Sequence, residues 1–228
     1  MKKLVFVLGL ILSFKVYAQT SGYCGPKDFD GNYGTNCEWV YDEASKTLTI
    51  SGYGEMYSTS GSYEHPWAKD LTSYRGIENV VIENGITSIG NHAFYGASSV
   101  KNIKMPDTLT TIGWDAFGSE KLESVVIPDS VAIIYGSKNY PLLRNTITAV
   151  YCSQIQRSKC QNLIEWSNLD VNVLKIYEKY GDEYYVDGRF YEKPQNIGTS
   201  DYIKKRIYTI DEVNAVTGKV NSFKIRYR

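Results

Sequence analysis

Between residues 77 and 152 the chain repeats one pattern of apolar and polar positions. Ile77-Glu-Asn-Val80-Val-Ile82 is followed by Val100-Lys-Asn-Ile103-Lys-Met105, by Leu122-Glu-Ser-Val125-Val-Ile127 and, more faintly, by Ile147-Thr-Ala-Val150-Tyr-Cys152. Val80/Ile82, Ile103/Met105 and Val125/Ile127 alternate with polar or exposed neighbours, which is the period of a half-buried strand. One strand per repeat is predicted, at spacings of 23, 22 and 25 residues. Pro106-Asp107 and Pro128-Asp129 end two of these strands, because proline donates nothing to a ladder and aspartate favours a turn. A second apolar pair follows each turn: Ile86 and Ile89, Leu109 and Ile112, Val131 and Ile134. Two copies continue as Gly90-Asn-His-Ala93-Phe94 and Gly113-Trp-Asp-Ala116-Phe117, whose Ala-Phe pair is expected to pack inward from a short helical turn. No unit of this kind buries its apolar side alone, so the copies must stack on a shared core. The expectation is an α+β repeat protein, a short curved solenoid.

Stacking also aligns the residues between the buried positions. One outward row is Val81, Lys104, Val126 and Tyr151, and the other is Asn79, Asn102, Ser124 and Ala149. Apolar, cationic and aromatic groups side by side make these rows the candidate binding strip, with Lys104 and Tyr151 its main contributors. An ordinary solvent face is the competing reading, and the aliphatic Val81 and Val126 also fit a face over which the tail folds.

Residues 82–94, Ile-Glu-Asn-Gly-Ile-Thr-Ser-Ile-Gly-Asn-His-Ala-Phe, resemble the signature of BspA-like leucine-rich repeat proteins. Upstream, Thr47-Leu48-Thr49-Ile50-Ser51-Gly52-Tyr53-Gly54-Glu55-Met56 and Pro66-Trp67 are similar to the strand-rich segment that precedes such repeats. The resemblance runs from about residue 22 to 135. It implies a secreted or surface protein with a role in adhesion or in host or matrix binding, and it brings no catalytic residues. The third repeat departs from the pattern by losing its Ala-Phe pair between Ile133 and Pro141, and the fourth carries Cys152 at a core position with Cys160 soon after. This reads as a terminal cap closing the exposed core.

Around the repeats, residues 1–18 read as a signal peptide: Lys2 and Lys3, an apolar stretch from Leu4 to Phe14, and a small-residue cleavage site ending at Ala18. Residues 19–76 form the expected strand-rich N-terminal cap, 77–176 the repeats with their terminal cap, and 177–228 a small α+β appendage. In that appendage Asp187-Gly188 between Tyr184-Tyr185-Val186 and Arg189-Phe190-Tyr191 signals a two-residue hairpin. Thr209 to Glu212 has capping-box spacing before a helix stopped by Gly218, and Phe223 to Arg228 alternates as a last strand with one basic side.

Composition narrows the partners. Loss of the leader removes three of the 25 basic residues and leaves a net charge of about −3, which disfavours nucleic acid. No apolar run approaches the roughly 20 residues of a membrane span, so no membrane insertion is expected. Four cysteines in an exported chain suggest disulfides, with the local pairs Cys24–Cys37 and Cys152–Cys160 favoured and zinc the competing reading. Tyrosine is abundant, at 20 residues, which suits sheets and binding faces. No phosphate loop, dinucleotide fingerprint or nucleophile motif occurs, and His65 and His92 read as structural or loop residues. Asp28-Phe-Asp30-Gly-Asn32 has the oxygen spacing of part of a calcium loop without its closing glutamate, so no metal or other cofactor is expected. The reading is a non-enzymatic exported binding protein with an extracellular protein or glycan as partner; a structural or assembly role in the envelope is the alternative.

Overall fold

The computed structural model describes residues 20–191, apart from 61–63, 71–75, 119–120, 138–142, 144–145, 181–182 and 187–188. The expected signal peptide, the expected helix over 209–218 and the expected final strand lie outside the described residues.

The predicted strands form β5 (Asn79–Ile82), β7 (Asn102–Lys104), β9 (Ser124–Val126) and β11 (Ala149–Ser153). β5 and β7 pair in parallel, Val80 opposite Ile103, and β9 and β11 pair in parallel, Val125 opposite Val150. β9 lies beside β7, but the two belong to different sheets. The expectation of one strand per repeat needs correction. The second apolar pairs build a ladder of their own, β6 (Ile86–Ile89), β8 (Thr111–Ile112) and β10 (Ile133–Ile134). Its bonds run from Thr110 N to Thr87 O at 2.8 Å, Gly113 N to Ile89 O at 2.9 Å and Tyr135 N to Ile112 O at 2.8 Å. A three-residue spacing conceals such a strand from a period-two reading, because the segment pairs along its backbone while only its ends point inward.

Between the two ladders lies one core. Its spine is a column of rings contributed by successive units: His65 stacks on Trp67 at 4.9 Å, Trp67 on Phe94 at 5.8 Å and Phe94 on Phe117 at 6.4 Å, with planes within 17° of parallel. The expected inward packing of the Ala-Phe pairs is present, with Ala93, Phe94, Ala116 and Phe117 all fully buried. Trp67, from α1 (Pro66–Asp70), fills the phenylalanine slot one unit earlier and donates its indole N–H to Ala93 O at 3.0 Å.

The N-terminal segment continues the stack. β3 (Thr47–Gly52) pairs in parallel with β5, and β4 (Gly54–Glu55) with β6. Ahead of them β1 (Thr20–Lys27) and β2 (Tyr33–Asp42) add antiparallel strands. Gly52 and Gly85 hold matching left-handed turns, φ 107° and 112°; a Cβ on Gly85 would lie 2.2 Å from Gly52 O. The expected Cys24–Cys37 disulfide joins β1 to β2.

At the other end α2 (Arg157–Trp166) buries Cys160, Leu163 and Ile164 against β11. Here a second expectation is corrected: Cys152 and Cys160 are buried free thiols. A hydrogen bond between them, reinforced by burial, holds the Cys160 thiol far above its usual pKa and hence protonated. Sequence proximity put the two sulfurs on facing elements, and apolar packing closes that interface without a bond. The stack then runs on into β12 (Leu174–Tyr180), parallel to β11, and into the antiparallel β13 (Glu183–Val186) and β14 (Arg189–Tyr191). Val186 pairs with Arg189, the register of the expected two-residue hairpin. Among the described residues no helix is long and apolar enough to cross a membrane.

Candidate functional site

The outward rows are placed by backbone register. Asn79 sits opposite Asn102 and Val81 opposite Lys104 in one sheet; Ser124 sits opposite Ala149 and Val126 opposite Tyr151 in another. The structure therefore brings the seven candidate residues together as two groups on neighbouring sheets. Sequence reasoning missed how far the first group extends. Because β3 is already a repeat-like strand, Thr47 lies opposite Asn79 and Thr49 opposite Val81, and β2 adds Asp42 and Val40 beyond them. The polar row thus reads Asp42, Thr47, Asn79, Asn102. The alternation Thr47-Leu48-Thr49-Ile50 was the available signal, and parallel pairing is what converts it into a continuation of the face.

Hydrogen bonds order this half. Asn102 Nδ2 donates to Asn79 Oδ1 at 2.9 Å, and Asn79 Nδ2 donates to Ser45 O at 3.3 Å. Glu78 receives Lys46 Nζ and Lys101 Nζ, each at 2.7 Å, and the two ammonium groups lower its pKa to about 2. Asn102 and Lys104 are exposed, whereas Asn79 and Val81 are half-buried.

The second group has different surroundings. Val126 and Tyr151 are half-buried and pack on Tyr177 and Val186, which form a small apolar cluster separate from the main core. Tyr177 donates its hydroxyl to Asp129 Oδ1 at 3.3 Å, and Ser153 Oγ bonds the same carboxylate.

A family model for the BspA type leucine-rich repeat region matches residues 71–176, in six copies. Residues 71–176 are a BspA-type leucine-rich repeat region. The expected resemblance is thereby shown, and the repeats extend past the four units read by pattern, through β12. Leu174 and Ile176 follow Val150 and Cys152 by 24 residues, within the range of the earlier spacings, so the interval was the available signal for β12, while the intervening α2 replaces the turn and Ala-Phe pair that mark the other copies.

Three solved structures resemble the chain. A leucine-rich repeat protein from Eubacterium ventriosum has 21% identity over 75% of this chain and 49% of its own, with a TM-score of 0.31. For the T. pallidum leucine rich repeat protein the values are 18%, 50%, 67% and 0.27. A leucine rich cell surface protein from Faecalibacterium prausnitzii gives 15%, 70%, 57% and 0.24. The chain spans about half the length of the first of these. Among curated proteins, none matches the sequence significantly.

The other sequence candidates find structural roles. His65 is buried; its Nε2 donates to Asn91 O at 2.8 Å, and burial lowers its pKa to about 4. His92 and Asp115 take the same left-handed position in consecutive BspA-type repeats, φ 55° and 49°. The Asp28 carboxylate accepts from Asp30 N, Asn32 N and Asn32 Nδ2, so its oxygens order their own loop and leave Phe29 fully exposed at the tip.

Proposed function

We propose that the protein is an exported, non-enzymatic recognition module that binds an extracellular protein or glycan on the outward strand face of a short solenoid of BspA-type repeats. The observation that carries this reading is the ordered polar row Asp42, Thr47, Asn79 and Asn102 beside exposed Lys104. Amide donors and acceptors fixed by the Asn79–Asn102 bond lose little freedom on binding, and an adjacent cation adds attraction for acidic groups. The leader-like residues 1–18 support export, and the repeat class supports recognition of another molecule. The test is binding of the mature chain to arrays of glycans and matrix proteins, beside Asn102→Ala/Lys104→Ala. Loss of binding in the folded variant supports this site; unchanged binding moves recognition elsewhere.

An envelope-assembly role is the second reading. β10 ends the second ladder, and there Ile133 and Tyr135 are 46% and 41% exposed, a form open to strand addition. Self-association on a sizing column favours assembly, and a monomer favours recognition.

A further inference from the structure

The junction between β7 and β9 lacks bonds that the comparable junctions share. Glu78 N and Asn79 N donate to Lys46 O at 3.0 and 3.1 Å, Lys101 N and Asn102 N to Glu78 O at 2.8 and 3.3 Å, and Thr148 N and Ala149 N to Glu123 O at 2.8 and 3.3 Å. The corresponding donors of β9, Glu123 N and Ser124 N, make no such bond to Lys101 O among the described residues. The unit ahead of β9 is also one residue short: Phe94 precedes Val100 by six positions, and Phe117 precedes Leu122 by five. Behind the seam, contact persists. Phe94 stacks on Phe117 at 6.4 Å within one continuous core, and in the second ladder Ala132 N and Ile133 N donate to Thr110 O at 2.8 and 3.0 Å. The junction is tied along one side and loose along the other, which is the geometry of a hinge.

The side chains at this seam match the missing bonds. The residue that precedes each strand of the row is in turn Lys46, Glu78, Lys101, Glu123 and Thr148, so charge alternates across the seam. Lys46 and Lys101 each reach Glu78 at 2.7 Å. Glu123 is exposed, and among the described residues no ion pair reaches its carboxylate. Lys101 is its neighbour in the row, and an ammonium group has donors for two carboxylates. We infer that the seam closes: β9 moves onto β7, Glu123 N and Ser124 N bond Lys101 O, Lys101 Nζ bridges Glu78 and Glu123, and the two five-stranded sheets join into one. Closure adds backbone bonds and an exposed ion pair, each of small net worth, and the core behind is already in contact, so open and closed forms interconvert. It also sets Asn102 level with Ser124 and Lys104 level with Val126, uniting the two groups of outward residues. A partner spanning both groups favours the closed form; that consequence rests on the recognition proposed above, and the closure itself does not.

The test uses no ligand. In the full mature chain, amide exchange is followed residue by residue by NMR at low salt and expressed as protection relative to an unstructured amide. Protection at Ser124 should be several-fold, because the seam closes, and several-fold below that at Asn102, because it reopens. Protection equal to that of Asn102 would mean a seam always shut, and no protection a seam never shut; either overturns the inference. Glu123→Lys sets like charge beside Lys101 and should lower the protection of Ser124 several-fold, Glu123→Gln should lower it less, and high salt should shrink both changes. Asn79, whose amide is bonded two strands away from β9, should keep its parent value in both variants and so report an intact fold. Unchanged protection of Ser124 in Glu123→Lys also overturns the inference.

Discussion

The two ends of the repeat stack are closed by different chemistry. At the N-terminal end antiparallel strands extend the sheet, a disulfide ties β1 to β2, and His65 and Trp67 seal the ring column. At the C-terminal end the two cysteines stay as thiols, and side-chain hydrogen bonds to the backbone join the apolar packing of α2. Gln156, itself buried, sends Nε2 to the carbonyls of Pro128, Asp129 and Val131 at 3.4, 2.7 and 2.8 Å, and Lys159 Nζ donates to Val131 O at 3.2 Å. A stack must end both its apolar core and its backbone ladders. Both ends add antiparallel strands, β1 and β2 at the first and β13 and β14 at the second, but the first is tied by a disulfide and the second by side-chain hydrogen bonds to backbone carbonyls.

The largest expected effect separates the ends by redox chemistry. Replacing Cys24 and Cys37 together by alanine should cost roughly 2–5 kcal/mol in urea unfolding, because the unfolded chain loses a closed loop. Reductant should shift the parent by the same amount and leave that variant unmoved. A further shift of the variant by reductant would mean that Cys152 and Cys160 are bonded, and the contrast between the ends would fail.

Acid should act next, and at the N-terminal end. With its pKa at about 4 in the fold and about 6.5 when unfolded, His65 is buried neutral. The stability it preserves is complete above pH 6.5 and is lost as pH falls through 4, by about 3 kcal/mol. Unfolding midpoints at pH 7, 5 and 4 should show this fall, and His65→Phe should flatten it. An unchanged slope in that variant would place the acid sensitivity elsewhere.

Gln156→Leu comes third and tests the C-terminal end. Three buried or half-buried carbonyls lose a donor, at about 2 kcal/mol, and hydrogen exchange in α2 should rise while β1–β3 stay protected. The smallest effect is that of Glu78→Gln, which removes the carboxylate between Lys46 and Lys101. A small drop in the unfolding midpoint is expected at low salt and should vanish at high salt, as for any exposed ion pair.

The fold was legible where chemistry recurs at a fixed interval. Val80, Ile103 and Val125 announce their strands, and Ala93-Phe94 and Ala116-Phe117 their inward turns, because each copy repeats the same burial demand. The second ladder was not legible, since strands such as Thr111–Ile112 are too short to show alternation and exist through backbone bonds to neighbours. The candidate rows were readable as rows, because register follows from repetition. Their surroundings were not. That Tyr151 packs on Tyr177 and Val186 depends on β13 folding back antiparallel against β12, which departs from the repeat interval. The cysteines show the same divide: Cys24 and Cys37 bond across an antiparallel pair, while Cys152 and Cys160 meet across a strand and a helix and remain separate.

The seam between β7 and β9 bears on how such a chain changes its length. Elsewhere along the strand face each unit is tied to the next by ladder bonds that an insertion would have to break and remake. Among the described residues no ladder joins β7 to β9. A unit added there meets an apolar core on both sides and interrupts only the β8–β10 pairing of the second ladder, whereas one added between β5 and β7 would break both ladders, so the array gains or loses a copy at this joint with fewer bonds to remake.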